Sequence, residues 1–247
     1  MKITGNAVLI TGGGSGIGLA TAKALSSKGN FVILVGRNKT KLKNAVNELQ
    51  NAAYIECDIT DEERVNQLVK QVQADFENVN MIINNAGKAY AYTLWENAAA
   101  FTKAYDEMFT NFLSTVRLIE KFIPLLKNKP EAAIINNTSI TAFVPGASVP
   151  TYSASKAALH SYTQSLRLSL SKFSSIKVFE VMPPLVDTEF SKDLPGEKIP
   201  ASEVAEAIIQ GLEQDTYEIH VGITAALHQL FLQSPTEAFN RLNRVNA

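Results

Sequence analysis

The stretch Thr11-Gly12-Gly13-Gly14-Ser15-Gly16-Ile17-Gly18 follows a short apolar run at residues 7–10 and precedes residues 19–28, which read as a helix ending near Gly29. An apolar run opening into clustered glycines and then a helix is a strand–turn–helix unit. Glycines in such a turn permit positive φ and let backbone N–H groups approach a ligand closely. The helix start adds unpaired N–H donors and the positive end of a dipole, a combination that holds a pyrophosphate. The spacing Gly12-x-x-x-Gly16-x-Gly18 differs from G-x-G-x-x-G, and a G-x-x-x-x-G-K-[ST] phosphate loop is absent. A purely structural turn is the alternative reading of these glycines taken alone.

Outward from this turn the same rhythm recurs. Strands are expected at 31–35, 53–57, 81–83, 132–135, 178–181 and 218–221, and helices at 39–49, 61–76, 99–126 and around Tyr152. The strand at 31–35 is apolar throughout, as in a parallel sheet covered on both faces. Alternation of this kind predicts an α/β fold with a doubly wound parallel sheet of about seven strands. Ligands bind such sheets beyond the carboxyl ends of the strands. The glycine turn, Asp58, the Asn84-Asn85-Ala86-Gly87 turn and the segments after the fifth and sixth strands therefore fall along one edge.

Composition narrows the function classes. The 247 residues are 46% apolar and 19% charged, as expected of one globular domain spanning 1–247. A net charge of −1 with no run of five like charges gives no footprint for nucleic acid or an anionic membrane. Cys57 is the single cysteine, which excludes an intrachain disulfide and fits a reducing, cytoplasmic setting; it reads as a small buried residue. No signal peptide and no membrane span are expected. The three histidines lack metal-ligand spacing, so no metal site is expected.

Tyr152-Ser153-Ala154-Ser155-Lys156 carries the chemistry. Leu159, Tyr162, Leu166, Leu170 and Phe173 recur at spacings of three or four, so the segment reads as a helix and Tyr152 and Lys156 share a face. An exposed phenol titrates near pH 10; bringing it to about 7 needs about 4 kcal/mol of preference for phenolate. One ammonium at about 4 Å, with an effective dielectric of about 20, supplies roughly that much. The pair suffices to make an acid/base, while a solvated Tyr–Lys stripe is the other reading.

About 20 residues beyond the last glycine an NAD site would offer an acid to the ribose diol. Here Val35-Gly36-Arg37-Asn38 ends the second strand, and no acidic residue follows before Glu48. Arg37, with Lys39, Lys41 and Lys43 nearby, suits a 2′-phosphate, so NADP (NADPH) is expected over NAD. An ordinary basic loop is the alternative.

Together these motifs resemble the short-chain dehydrogenase/reductase family over nearly the whole chain. Thr11 to Gly18 is similar to its T-G-x-x-x-G-x-G turn, Asn84 to Gly87 to N-N-A-G, and Tyr152 to Lys156 to Y-x-x-x-K. Ser139 stands thirteen residues before Tyr152, where the family keeps its serine, and Asn111 lies in the helix that carries its asparagine. The resemblance implies a Rossmann-type fold and a carbonyl/alcohol substrate. Tyr152 would exchange the proton, Lys156 would lower its pKa and bind the nicotinamide ribose, Ser139 would hold the substrate oxygen, and Asn111 would anchor a water relay. It further implies cofactor contacts from Gly12, Ser15, Gly16, Ile17, Gly18, Arg37, Asp58, Asn85, Ala86 and Gly87. Later in the chain, Tyr152, Lys156, Pro183, Val186 and Thr188 would complete that set. Arg37 resembles the NADP-preferring branch. A homodimer or homotetramer through the helices of Asn111 and Tyr152 is implied as well.

Departures stand at Pro184, where the family commonly writes glycine, and at Lys88, where an aliphatic residue is usual. Lys88 would favour an acidic substrate if it faced the crevice, and otherwise points to solvent. The segment Met182 to Phe190 also resembles, more weakly, a bacterial subgroup annotated near lipoteichoic-acid D-alanylation genes. Residues 188–200 are the expected lid, with Pro195-Gly196, over a pocket lined by Phe143, Leu185, Phe190 and Trp95. Ordinary core packing is the alternative for these aromatics. The tail, about 223–247, carries Leu227, Leu230, Phe231, Phe239 and Leu242; a docking helix pair, a subunit contact and a membrane-surface element are all open, with packing the default. The rival to an oxidoreductase is a cofactor-sensing protein without turnover on the same fold.

Overall fold

The computed structural model of the chain describes residues 1–192, 194 and 196–245. It runs β1 (Ala7–Thr11), α1 (Gly16–Ser27), β2 (Phe31–Gly36), α2 (Lys39–Asn47), β3 (Ala52–Glu56), α3 (Glu62–Asp75), β4 (Val79–Asn84), α4 (Ala100–Glu107) and α5 (Ser114–Leu126). It continues with β5 (Ala132–Asn137), α6 (Pro150–Phe173), β6 (Ile176–Met182), β7 (Val186–Asp187), β8 (Ile199–Pro200), α7 (Ala201–Glu213), β9 (Glu218–His220), α8 (Thr224–Gln233) and α9 (Pro235–Asn243). Seven strands form one sheet in the order β3-β2-β1-β4-β5-β6-β9, each pair parallel. The α/β, doubly wound sheet read from the sequence is the fold observed.

Strand residues alternate between two cores because side chains on a strand point to opposite faces. Val8, Ile10, Val32, Leu34 and Ile83 pack with Leu25 of α1 and Val204 and Ile208 of α7. Leu9, Ile33, Val35 and Ile82 pack instead with Val65 of α3 and Leu118 and Phe122 of α5. Leu9 sits opposite Ile33 on one side and Ile82 on the other. Each such side chain removed from water contributes about 1.5–3 kcal/mol, so both faces demand apolar residues and the central strands β1 and β2 read as apolar runs.

Strand order reverses between β1 and β4, the switch point where ligands of such sheets bind. The glycine turn leaves β1 and Asn85 leaves β4, so both open at that point. Cys57 lies just past β3, buried, with its thiol pushed up to about 11 chiefly by burial.

Three features differ from expectation. The helix at 99–126 contains a π-helical segment, Met108–Leu113, between α4 and α5. A helix absent from the sequence reading, α7, fills 201–213; Val204, Ile208 and Leu212 at spacings of four bury it against α1. At the two ends of the expected lid, β7 and β8 pair Val186 with Ile199 and Asp187 with Pro200. The Pro195 of that lid, and residues 246–247 of the tail, lie outside the described residues.

Candidate active site

The glycine turn is a cradle that side chains would close. Gly12 and Gly16 hold φ of +65° and +52°, which L residues rarely adopt. A Cβ on Gly18 would stand 2.4 Å from the Gly12 carbonyl oxygen and 2.6 Å from Asn85 Nδ2. Ser15 takes the N-cap position of α1 in an extended conformation and its side chain caps nothing. The first N–H groups of α1 thus keep donors for an anion at the dipole's positive end. Thr11 Oγ1 accepts from the N–H groups of Asn85 and Ala86, each at 3.0 Å, and Asn85 Nδ2 donates to the Thr11 carbonyl at 3.0 Å. Asn137 Nδ2 donates in turn to Asn85 Oδ1 at 2.9 Å. The Asn85 amide is therefore spent on strapping β4 to the turn, while Ala86 and Gly87 bring backbone to the cleft.

A cleft of about 610 Å³ joins this cradle to Ser139, Tyr152 and Lys156. Ser139 Oγ, at the start of the 3-10 turn Ile140–Ala142, accepts from Thr141 N–H and Thr141 Oγ1, both at 3.1 Å, leaving its own proton to donate. Tyr152 and Lys156 lie one turn apart on α6. Lys156 Nζ is buried and donates to the Asn137 carbonyl at 2.7 Å. Burial draws the ammonium down to about 8, with buried Glu180 pulling the other way. Burial pushes the Tyr152 phenol up to about 12; the Ser139 hydroxyl lowers it and Glu107 raises it. In the cofactor-free protein, desolvation of a phenolate outweighs the other influences on Tyr152, and the lysine donates to Asn137.

Asn111 sits in the π segment, a register change that often marks functional sites. Its Oδ1 accepts from Lys88 N–H at 2.7 Å; its Nδ2 donates to the Lys88 carbonyl at 2.8 Å and to Ser155 Oγ at 2.9 Å. The side chain thus fixes the backbone after Gly87. Pro183, Val186 and Thr188 follow β6 along the cleft, and Thr188 Cγ2 comes within 3.1 Å of where a Cβ on Gly16 would be.

Residues 6–198 match the family model described as short chain dehydrogenase. The chain belongs to that family. It is 38% identical over 225 residues, 89% of each chain, to the uncharacterized oxidoreductase DltE of Bacillus subtilis. It is 32% identical over 221 residues, 87% of this chain and 94% of the other, to the uncharacterized oxidoreductase MW2403 of Staphylococcus aureus. Among solved structures it is similar to a short chain dehydrogenase from Burkholderia cenocepacia in complex with NADP, at 29% identity and a TM-score of 0.88 over 100% of both chains. It is also similar to the 3-ketoacyl-(acyl-carrier-protein) reductase of Brucella melitensis complexed with NADH, at 26% identity and a TM-score of 0.76 over 85% of this chain and 91% of that one.

Other expected residues of this short chain dehydrogenase fall differently. Arg37 follows β2 and is exposed, whereas Lys41 beside it is tied to Glu189 at 2.6 Å across the cleft mouth. Asp58 Oδ1 accepts from Thr60 N–H and Oγ1, at 2.9 and 2.7 Å. Lys88 neither enters the cleft nor reaches freely into solvent: it pairs with Asp106, which also binds Tyr90, and the pairing raises the ammonium and lowers the carboxyl. Trp95, 78% exposed, lines nothing. Phe143 packs behind the cleft against His220, His228 and Phe231, while Leu185 and Phe190 do line it. The tail is a helix pair that buries Leu227 and Ala238 against Ile140 and Val144.

The sequence reading missed Asn137, Glu180 and the α9 arginines. Asn136-Asn137 ending an apolar strand, and Glu180 alone within Val178-Phe179-Glu180-Val181, were the available signals. Arg241 and Arg244 give no such signal, since they reach the cleft through tertiary packing of the tail.

Proposed function

We propose that this short chain dehydrogenase is an NADP(H)-dependent oxidoreductase acting on a carbonyl/alcohol pair, with Tyr152 as the proton donor and acceptor. The observation that carries the reading is the single cleft that Ser139, Tyr152 and Lys156 share with the glycine cradle. The cradle accommodates a dinucleotide: its glycines exclude side chains, and the start of α1 offers unspent N–H donors. A bound nicotinamide supplies or accepts the hydride.

The chain's own residues handle the oxygen. Ser139 donates to the carbonyl oxygen and stabilises charge developing there. Tyr152, held protonated at neutral pH, gives its proton to that oxygen as the alcohol forms. Lys156, at about 8, exchanges protons near neutral pH and returns one to the phenolate. Asn137 and Asn111 position the lysine and the backbone beside it. Arg37 supports NADP over NAD, as its guanidinium would meet a 2′-phosphate after β2 with no acid there to bind a free ribose diol.

Phe101, Tyr105, Leu113, Leu168 and Phe173 are exposed on the helices that carry Asn111 and Tyr152, which supports a homodimer or homotetramer through that face. No helix among the described residues is long and apolar enough to cross a membrane, and no metal-binding cluster occurs among them. A reducing, cytoplasmic setting fits the lone buried Cys57. The deciding test is NADPH consumption over a panel of aldehydes, ketones, quinones and keto acids. Turnover of at least one class is expected; tight NADPH binding with no turnover on any would favour the sensor.

A further inference from the structure

Resting on that reading, we propose that the substrate carries an anionic head, a carboxylate or phosphate, joined to its reacting carbonyl by an apolar stem, and that Arg241 and Arg244 bind the head. The cleft continues past Tyr152 between the segment after β6 and the tail helices. Its middle is apolar, with Leu185, Phe190 and Leu194 facing Ile223, Leu227 and Leu242. Its far wall is the end of α9, with Arg241 in the last turn and Arg244 at the C-cap just beyond it.

That wall is fixed in place. Asn243 Oδ1 accepts from Ala147 N–H at 2.6 Å and its Nδ2 donates to the Pro145 carbonyl at 3.0 Å. The end of α9 is thereby stitched to the loop that leads into α6 and Tyr152. One guanidinium nitrogen of Arg244 lies 3.9 Å from where a Cβ on Gly196 would be, so that side chain reaches across to the opposite rim. Neither arginine forms an ion pair among the described residues.

Charge along the cleft points the same way. Among the described residues its carboxylates are Glu189, already neutralised by Lys41, and Glu197; its cations are Lys156 and the two arginines. Lys156 is buried on the Asn137 carbonyl and serves the phenol, which leaves the arginines to meet a ligand. Guanidinium groups bind carboxylate and phosphate oxygens in forked pairs. An acid preference thus arises at the distal end, since Lys88 is spent on Asp106.

Calorimetric titration tests this without turnover. An ω-hydroxy fatty acid, its ω-hydroxy alkyl phosphate counterpart and the methyl ester of the acid are titrated into the full chain, with and without NADPH. An anion is expected to bind about tenfold or more tighter than the ester. Whichever of acid and phosphate binds tighter identifies the head. Arg241→Gln/Arg244→Gln should bring the anions down to the level of the ester, with Arg241→Lys/Arg244→Lys between the two. Thermal unfolding checks that each variant folds. Equal binding of acid, phosphate and ester, or undiminished anion binding by the double glutamine variant, overturns the proposal. Arginine-dependent anion binding with no carbonyl reduced in the NADPH panel would sink the oxidoreductase reading alone.

Discussion

The ammonium of Lys156 stands 5.6 Å from the centre of the Tyr152 ring. An ammonium near a phenol favours the phenolate, yet the phenol sits at about 12 because burial costs the phenolate more. The phenol thus keeps its proton at neutral pH, as the proposed donation to a carbonyl oxygen requires. An oxidised nicotinamide, being positive, would pull the phenol down and suit the reverse direction.

The cradle makes a steric prediction. Gly18→Ala would drive a methyl group into the Gly12 carbonyl and the Asn85 amide. Overpacking of this kind costs about 1–3 kcal/mol, so the variant should unfold at lower temperature and lose NADPH affinity together. Thermal unfolding with and without NADPH measures both. Full affinity in the variant would show that the turn does not hold the cofactor.

Arg37 is the residue proposed to decide between cofactors. Arg37→Ala should weaken NADPH about tenfold to a hundredfold, the worth of a charge-assisted hydrogen bond, and leave NADH nearly unchanged. Fluorescence titration of both cofactors reads the difference. Equal losses would remove the NADP assignment.

Behind the site, His160 Nδ1 lies 2.9 Å from each oxygen of buried Glu180, which raises the imidazole above its usual 6.5. A group raised on folding stabilises fully below its unfolded value and loses that contribution as pH rises through its folded value. His160→Gln should therefore cost about 1–2 kcal/mol below pH 6.5 and less at alkaline pH. Denaturant unfolding across pH gives this difference. A constant deficit at every pH would mean that the imidazolium contributes nothing.

The sheet was legible because burial on both faces leaves an apolar signature in its central strands β1, β2 and β4, and the glycine turn because sterics allow no other residue at Gly18. Tyr152, Lys156 and Ser139 were legible through their register along the chain. The phenol's elevation was not, since it depends on how much water the folded site removes. Lys88 could not be placed either: its partner Asp106 lies eighteen residues on, past a segment with no regular pattern. Nor could the cleft's far wall, because α9 gains its position from Asn243 binding a loop nearly a hundred residues earlier.

Replacing Tyr152 with phenylalanine tests the central claim most directly. The ring and its packing remain while the transferable proton is removed, so single-turnover reduction of an accepted carbonyl should fall by about 10²-fold or more with NADPH affinity intact. Unchanged reduction by Tyr152→Phe at full NADPH occupancy would contradict the account.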